Sequence, residues 1–211
     1  MPVNKINQEN FNYNNIDKVG KNFMYKNLRG SKCYNCNFAN SNFNYASFRG
    51  AHFKLCKLVE CSFKWTEFIG ANLKDSNFKF ATFENTVFDS VKLDGANFKD
   101  AQFENTIFLN TDVTKAKNLD LKSPGIKILN EMPDFEISSE LKTAITNAMK
   151  NKYVKDARIF DTKDGSLNML NIMILLENFD EKTLIEGLNL IENELDRKFY
   201  TLSYVIKYLK S

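Results

Sequence analysis

Four cysteines at short spacings are the side chains in this sequence that could most readily hold a metal ion. Cys33, Cys36, Cys56 and Cys61 follow the pattern C-x2-C-x19-C-x4-C. Paired thiolates at such spacings are common ligands of structural zinc sites, which are tetrahedral. Whether these four side chains converge on one ion depends on the elements that carry them.

Histidine chemistry is restricted to His52, the only histidine of the chain. A Ser-His-Asp site would have to include it, and no recognisable motif ties a serine or an aspartate to it. The sequence also lacks the G-x-G-x-x-G, phosphate-loop and H-E-x-x-H motifs. We therefore predict that the protein is not an enzyme, has no catalytic residue and uses no cofactor.

Composition and charge indicate a soluble folded protein. The 211 residues are 43% hydrophobic and 26% charged, and the net charge of +3 is too small to mark a polyanion-binding protein without local clustering. The N-terminal segment 1–15 has no apolar core, and the longest apolar run, residues 167–176, is interrupted by Asn168 and Asn171. We predict a cytoplasmic protein with no membrane insertion.

A repeat with a period of five dominates the first half of the chain. From Phe23 to Val113 every fifth residue is uncharged, and 13 of the 19 phenylalanines lie at these positions. Two positions before each of them, from Ser31 to Thr111, stands a small residue, and asparagine often lies between the two. A helix is excluded because each step of five rotates the side chain by about 140°. Residues two apart face the same side of an extended chain, so a turn must follow each pair.

This pattern, small–Asn/Asp–Leu/Phe–x–x, resembles that of the pentapeptide repeat family over about residues 31–115. The resemblance implies an all-β right-handed quadrilateral β-helix, with four pentapeptides in each coil and about 4–5 coils here. Stacking of successive coils then places phenylalanines above one another in ladders. The predicted structural core consists of Phe43, Phe48, Phe53, Phe63, Phe68, Phe83, Phe88, Phe103 and Phe108.

The repeat frame changes the interpretation of the cysteines. Cys33 takes a large inner position and the other three take small inner positions, where a buried thiol acts as a small hydrophobe. Cys36 and Cys56 are separated by four pentapeptides, so they would stack in neighbouring coils at a distance that permits a disulfide. In a reducing compartment free thiols are expected. We predict no metal site.

The frame also suggests the division of the chain. We predict an N-terminal cap at residues 1–20, the β-helix at residues 21–117, a linker or docking strap at residues 118–137 and a second domain at residues 138–211. Lys21 and Lys26 occupy small inner positions, which indicates an incomplete first coil, and the register is lost at residues 115–118. The ends of such a solenoid must be covered.

The last part of the chain has a different pattern. A helix is predicted at about residues 139–151, and Leu184, Leu188, Ile191 and Leu195 mark a second one. Residues 154–160, 167–176 and 200–209 are predicted as strands, the first two joined by an Asp-Gly turn. This small α+β domain, with the order α-β-β-α-β, resembles the C-terminal domain of the enhanced-serine-sensitivity protein family.

Two outward surfaces are candidate sites. Tyr25, Tyr45 and Trp65 form an apolar stripe, which either packs against another part of the chain or serves as a hot spot for a partner. Residues 21–66 carry eight Lys or Arg and one Glu. The candidate basic face consists of Arg29, Arg49, Lys32, Lys54 and Lys74. Such a face is either a solvated surface or a track for a phosphate backbone.

These surfaces lead to several functional hypotheses. We interpret the protein as a non-enzymatic protein–protein interaction or scaffold module for an unknown protein partner, with its oligomeric state left open. The alternative is nucleic-acid or anionic-surface binding through the basic N-terminal half of the solenoid. A third hypothesis is that the C-terminal domain binds a regulator or small ligand and the solenoid is a spacer. Some pentapeptide repeat proteins imitate duplex DNA and modulate type II topoisomerases, but that role needs a long acidic rod, whereas this repeat segment is basic.

Overall fold

The computed structural model describes residues 11–210 of the chain. The chain forms two compact units, Met1–Asn130 and Glu131–Ser211. The first unit is a β-helix of about 6 turns, more than the 4–5 coils expected, and the second is helical. Within the described residues, no helix has the length and apolar character needed to cross a bilayer.

The strands of the first unit are short. They are β1 Asn12–Asn14, β2 Lys32–Tyr34, β3 His52–Lys54, β4 Ser62–Lys64, β5 Glu67–Ile69, β6 Thr82–Glu84, β7 Val87–Asp89, β8 Gln102–Glu104, β9 Thr106–Leu109 and β10 Ile126–Leu129, with a 3-10 turn at Val113–Lys115. The helices of the second unit are α1 Ser139–Ala148, α2 Lys152–Ala157, α3 Met169–Asn178, α4 Glu181–Glu194 and α5 Leu202–Leu209.

The β-helix has four faces, and every strand pair in it is parallel with each residue paired to its equivalent in the next coil, as Phe63 with Phe83. We call the sheet β1-β2-β3 the first face, β4-β6-β8 the third face and β5-β7-β9-β10 the fourth face. The second face is joined by isolated bridges that run from Asp17 to Lys117. One pentapeptide supplies each face, so the period of five in the sequence is the spacing between corners.

The interior is filled by the predicted phenylalanine ladders. Phe63 is fully buried, and its ring stacks on Phe43 at 5.4 Å and on Phe83 at 5.0 Å between centroids. A second ladder stacks Phe88 on Phe68 at 4.7 Å and on Phe108 at 4.6 Å. The prediction of the core is confirmed, except that Phe103, near the C-terminal end of the ladder, is only partly buried.

The small inner residues join each coil to the one before it. Thr66 donates from its hydroxyl to the backbone carbonyl of Phe43 at 2.9 Å, and the thiol of Cys61 donates to that of Phe38 at 3.0 Å. The same bond recurs at Ser41, Ser76, Thr86, Thr106 and Thr111. Buried polar atoms are tolerated here because each finds an acceptor.

Asparagine between the small and large residues has a local cause. The side-chain oxygen of Asn42 accepts from the backbone N–H of Asn44 at 2.9 Å, and that of Asn77 accepts from Lys79 at 3.2 Å. The same bond forms at Asn22, Asn27, Asn37, Asn72 and Asn97. Such a side chain replaces a backbone turn and helps the chain round the corner.

The β-helix begins earlier than predicted. β1 pairs with β2 in the register of the other coils, so residues 11–20 belong to a coil and not to a cap. The rest of the predicted cap, residues 1–10, lies outside the described residues. The ring of Phe11 lies 5.5 Å from that of Tyr13 and meets Phe23 edge-on at 5.8 Å, so these aromatics cover the first buried phenylalanine.

The predicted C-terminal boundary of the β-helix is also wrong. Asn97 still bridges Lys117, and β10 pairs with β9 in the same register, so the coil continues through residues predicted to be a linker. The backbone keeps the spacing of one coil there although the side chains no longer alternate large and small. At Gly125 the chain passes so close to the backbone of Phe103 that a Cβ would not fit, and the Gly125 carbonyl accepts from the N–H of Thr106 at 2.8 Å.

Replacement of Gly125 with alanine is expected to detach β10 from β9. An added Cβ would overlap the carbonyl oxygen of Phe103 and lie 2.6 Å from its carbon, and backbone atoms cannot rotate away. Overpacking of this kind costs about 1–3 kcal/mol. Hydrogen exchange should show faster exchange at Thr106 and Asn110, whose N–H groups donate to Gly125 and Leu129.

Gly70→Ala is the matched control for this substitution. Gly70 also lies at a corner, but nothing stands within 4 Å of an added Cβ, and its φ is +61°. This variant should show only the cost of the left-handed backbone, about 1–2 kcal/mol, with exchange at Thr106 and Asn110 unchanged. Equal exchange at these two amides in both variants would contradict the steric explanation.

The second unit is helical and not α+β. The helices predicted near residues 139–151 and around Leu184 are confirmed as α1 and α4. The three predicted strands are wrong, because residues 152–157, 169–178 and 202–209 form α2, α3 and α5. The α-β-β-α-β order that suggested the enhanced-serine-sensitivity family is therefore absent from the described residues.

Local capping explains these helices. The side chain of Asn151 accepts from the N–H of Tyr153 at 2.9 Å and starts α2, and that of Asn168 accepts from Asn171 at 3.1 Å and starts α3. Valine and isoleucine in these segments favour strands by propensity. The caps and the packing of apolar faces outweigh that preference.

Candidate interaction surfaces

The four cysteines are buried donors in the core. All are free, and the thiol of Cys56 donates to the carbonyl of Cys33 at 3.6 Å. Burial raises the pKa of Cys56 and of Cys61 to about 12, and it also raises the pKa of Cys33, which lies near Cys56 and Cys36. Protonated thiols bound to carbonyls are not poised as metal ligands. Between residues 11 and 210, no three His, Cys, Asp or Glu side chains are grouped so that they could hold a metal ion.

His52 lies on the outer side of β3 and is exposed. In the register of the coils its neighbours are Lys32 and Asn72. A catalytic histidine needs an acidic group to orient it and a nucleophile within reach. The neighbours that the register provides are instead a cation and an amide, so His52 belongs to the basic surface of the first face.

The three residues of the predicted stripe meet at one corner, between the third and fourth faces. Tyr25 and Tyr45 stack with ring centroids 4.8 Å apart and planes 11° from parallel. Tyr25 is 54% exposed, and Tyr45 and Trp65 are half-buried. Tyr25, Tyr45 and Trp65, which we call the aromatic stripe, occupy three successive coils of one column.

All three stripe residues have a left-handed backbone, with φ of +60°, +62° and +52°. This conformation is a property of the corner, since Asn85 and Asn105 continue the same column with φ of +50° and +45°. Their side-chain amides lie 3.5 Å apart, so asparagine suits both the backbone and the stacking. Across the described part of the β-helix, large apolar side chains occupy five of these corners: Tyr25, Tyr45, Leu55, Trp65 and Phe80.

A charged pair lies beside the stripe on the third face. Lys64 Nζ is 2.6 Å from a carboxylate oxygen of Glu84, one coil further along. The hydrogen bond from Lys64 to Glu84 raises the pKa of the Lys64 amine. The aromatic stripe therefore has a polar rim formed by partly exposed side chains of opposite charge.

The candidate basic residues fall on two adjacent faces. Lys32, Lys54 and Lys74 lie on the outer side of the first face, and Arg29 and Arg49 lie on the fourth face. Burial raises the pKa of the Asp89 carboxyl, and the nearby charge of Arg49 partly offsets this rise. Arg49 therefore lies near an acid. Within residues 11–210, none of the other four forms a salt bridge.

The corner between these two faces is formed by glycines. They stand at Gly30 and Gly50, where an added Cβ would meet nothing within 4 Å. The two groups of cations are thus separated by bare backbone and not by a side chain.

Three polar residues beside the candidate basic residues were not among the predicted site residues. Tyr34 is 51% exposed on the first face, between Asn14 and Lys54 in the strand register. Asn12 and Asn14 belong to β1, within the predicted cap. Continuing the period of five backwards from Phe23 to Tyr13 would have placed both asparagines on this face.

Two family models match parts of the chain. The model of pentapeptide repeats in eight copies matches residues 27–58. The model of the SV2A/B/C luminal domain matches residues 59–126. No curated protein matches the chain significantly by sequence. Both matched segments lie inside the β-helix, and the first agrees with the repeat that the sequence predicted.

Solved structures of pentapeptide repeat proteins are similar to part of this chain. HetL from the cyanobacterium Nostoc, a pentapeptide repeat protein involved in heterocyst differentiation regulation, is 17% identical over 49% of this chain and 46% of its own, with a TM-score of 0.33. A pentapeptide repeat protein from the Arabidopsis thaliana thylakoid lumen is 18% identical over 57% of this chain and 88% of its own, with a TM-score of 0.39. A pentapeptide repeat protein from the cyanobacterium Cyanothece is 14% identical over 47% of this chain and 88% of its own, with a TM-score of 0.33. The chain thus spans less than half the length of HetL. The fold assignment rests on the register of this chain and on the matched repeat model.

Proposed function

We propose that the pentapeptide repeat β-helix of this chain is a non-catalytic module that binds a protein partner through the aromatic stripe. One observation carries this proposal. Large aromatic side chains occupy three successive left-handed corners of a single column, at Tyr25, Tyr45 and Trp65.

The stripe conflicts with the local backbone. A left-handed conformation costs a residue with a Cβ about 1–2 kcal/mol, and glycine or asparagine lessens that cost. Asparagine serves this purpose at Asn85 and Asn105 in the same column. Residues that break a local rule and leave apolar surface exposed are typical of functional sites.

The composition of the surface fits a protein partner. Tyrosine and tryptophan are enriched among residues that dominate binding energy, and such residues are surrounded by a polar rim. Here the partly exposed pair of Lys64 and Glu84 supplies the rim. We expect the partner to present an apolar pocket for Trp65 and polar groups around it.

The charge of the second face, which adjoins the third, argues against imitation of duplex DNA. Mimicry of a phosphate backbone requires regular acidic rows. The outer positions of the second face carry Lys57, Lys79, Lys99 and Lys117 against one acid, Asp17. This face is basic, so a partner that recognises DNA would be repelled from it.

The double variant Tyr45→Asn/Trp65→Asn should lose partner binding while the fold stays stable. Truncating two hot-spot residues is expected to weaken binding by at least about 30-fold. The thermal midpoint should stay within about 2 °C, because relief of the left-handed backbone offsets the lost stacking of Tyr25 on Tyr45. Affinity capture from lysate of the native cell identifies the partner, and titration of the purified partner measures the change.

Phe80→Asn is the matched control. Phe80 is 52% exposed, has φ of +58° and lies at another corner, so this variant makes the same kind of change outside the stripe. It should bind the partner as the unmodified chain does. If the double variant lowers the thermal midpoint by several degrees, or if both variants capture the same proteins as the unmodified chain, the stripe is packing and not an interface.

A further inference from the structure

A shallow groove of about 520 Å³ lies on the first face, away from the aromatic stripe. Its outer walls are the side chains of β1, β2 and β3, which form two columns. One column is Asn12, Lys32 and His52, and the other is Asn14, Tyr34 and Lys54. The groove crosses three coils along the axis of the β-helix, so it suits an extended ligand.

Cations and neutral polar groups line the groove, and none of the described residues in its wall carries a carboxylate. Lys32 and His52 are exposed, and neither Lys32 nor Lys54 forms an ion pair within the part of the chain that the structure describes. Lys74 extends the second column by one coil, and an acid first appears in it at Asp94. The groove therefore favours an anionic ligand.

The positive charge continues round the adjacent corner. Gly30 and Gly50 carry no side chain there, and space is open where a Cβ would stand. Arg29 lies immediately before Gly30, on the fourth face. A ligand that follows the groove can thus meet Lys32 and Arg29 on the two sides of an unobstructed corner.

The geometry points to a single-stranded oligonucleotide as the ligand of this groove. Lysine and arginine neutralise phosphates along a strand, and an exposed aromatic ring offers a platform for a base. Tyr34, 51% exposed and next to Lys54, is that platform. The amides of Asn12 and Asn14 can hydrogen-bond to base edges or sugars. A compact phosphate would need donors that converge, whereas these side chains are spread over three coils.

The test is fluorescence anisotropy with the full chain and labelled ten-nucleotide oligo-dT and oligo-U. We expect a Kd on the order of 10⁻⁵ M at 50 mM NaCl. Neutralisation of about three phosphates by Lys32, Lys54 and Arg29 predicts a slope of log K against log salt near −2. No binding at 50 mM NaCl, or a slope near zero, would overturn the proposal.

Two variants separate the roles of charge and stacking. Lys32→Gln/Lys54→Gln should weaken binding at least about tenfold and make the salt slope shallower by about 1.4. Tyr34→Ala should weaken binding roughly 5- to 100-fold with an unchanged slope, because it removes stacking and no charge. All three residues are on the surface, so neither variant should disturb the fold. The fluorescence of Trp65 checks this.

Lys79→Gln/Lys99→Gln is the control, because it removes the same charge from the second face. Binding through the groove predicts no more than a twofold effect in this variant. Equal weakening in both double variants would mean attraction by overall charge, and equal binding of a duplex of the same length would exclude stacking on Tyr34. Either result overturns the proposal. The aromatic stripe variant should bind the oligonucleotide normally, so this proposal and the proposed function fail independently.

Discussion

Replacement of Phe63 with alanine is expected to lower the free energy of unfolding of the β-helix by about 3–5 kcal/mol. Phe63 is fully buried, stacks on Phe43 and Phe83, and also contacts Phe48 and Phe68 at 6.3 and 5.4 Å. Alanine would leave a cavity that the coils above and below cannot close, because their backbones are fixed by parallel hydrogen bonds.

The single tryptophan of the chain makes this measurement specific. Trp65 lies in the β-helix, two positions after Phe63, and the helical unit has no tryptophan. Urea unfolding followed by Trp65 fluorescence therefore reports the β-helix, while ellipticity at 222 nm is dominated by the helical unit. Separate probes matter because a chain of two units need not unfold in one step.

Phe103→Ala and Phe63→Leu test the mechanism. Phe103 is only partly buried and lies at the C-terminal end of its ladder, stacked on Phe83 at 5.1 Å, so its loss should cost clearly less than that of Phe63. Leucine already fills the large inner position of other faces, at Leu58 and Leu73, so Phe63→Leu should cost less than about 1.5 kcal/mol. A loss well under about 2 kcal/mol for Phe63→Ala, or equal losses at both phenylalanines, would show that the coils collapse around the cavity.

The interior of the β-helix could be predicted from the sequence because one rule covers all of it. A large residue and a small residue recur in fixed register, so the inward direction of Phe63 follows from that of Phe43 without any knowledge of the turns. The ends broke this rule and were therefore misjudged. At Lys21 and at Lys117 the side chains no longer match the frame, but the backbone still pairs with the neighbouring coil, as Asn22 with Asn42 and Lys117 with Asn97.

The helical unit shows where periodicity is insufficient. The apolar run of residues 167–176 fits either a buried strand or a buried helix. The hydrogen bond from the N–H of Asn171 to the side chain of Asn168 begins a helix there, and this is a local interaction that a hydrophobic pattern does not contain. The turn between α2 and α3 was found correctly, since Asp161 bridges Leu167 in antiparallel fashion.

The candidate surfaces were only partly accessible from the sequence. Columns of residues at equivalent positions in successive coils could be written down directly, which located Tyr25, Tyr45 and Trp65 as neighbours. Their left-handed backbone does not follow from hydrophobic spacing, which gives no information on φ. The signal for it was the frequent Gly, Asn or Asp at the same position of other pentapeptides, as at Gly30, Asn85 and Asn105. That conformation turns an ordinary aromatic column into a conflict with local preference, and this conflict supports the proposed interface.

The buried thiols are expected to make the β-helix sensitive to alkali. Burial raises the pKa of Cys56 and Cys61 from the usual 9.0 to about 12, so in the folded chain both stay protonated while the unfolded chain ionises. Their contribution to stability is complete below pH 9 and is lost as the pH rises from 9 through 12. At about pH 10.5 each thiol is expected to lower the free energy of unfolding by roughly 2 kcal/mol relative to its value below pH 9.

Cys56→Ser/Cys61→Ser is the matched variant for this prediction. Serine is the natural occupant of the same inner position at Ser31, Ser41 and Ser76, and its hydroxyl can donate to the carbonyls that the thiols now bind. Urea unfolding at pH 8.0 and pH 10.5, followed by Trp65 fluorescence, should show a smaller loss in the variant, by several kcal/mol. Lysines and tyrosines also titrate in this range, including Tyr208, whose pKa burial raises to about 12, but both proteins share them. If the unmodified chain and the variant lose stability in parallel, the thiols do not govern the alkaline limit, and the interior of the coil must admit water to Cys56 and Cys61.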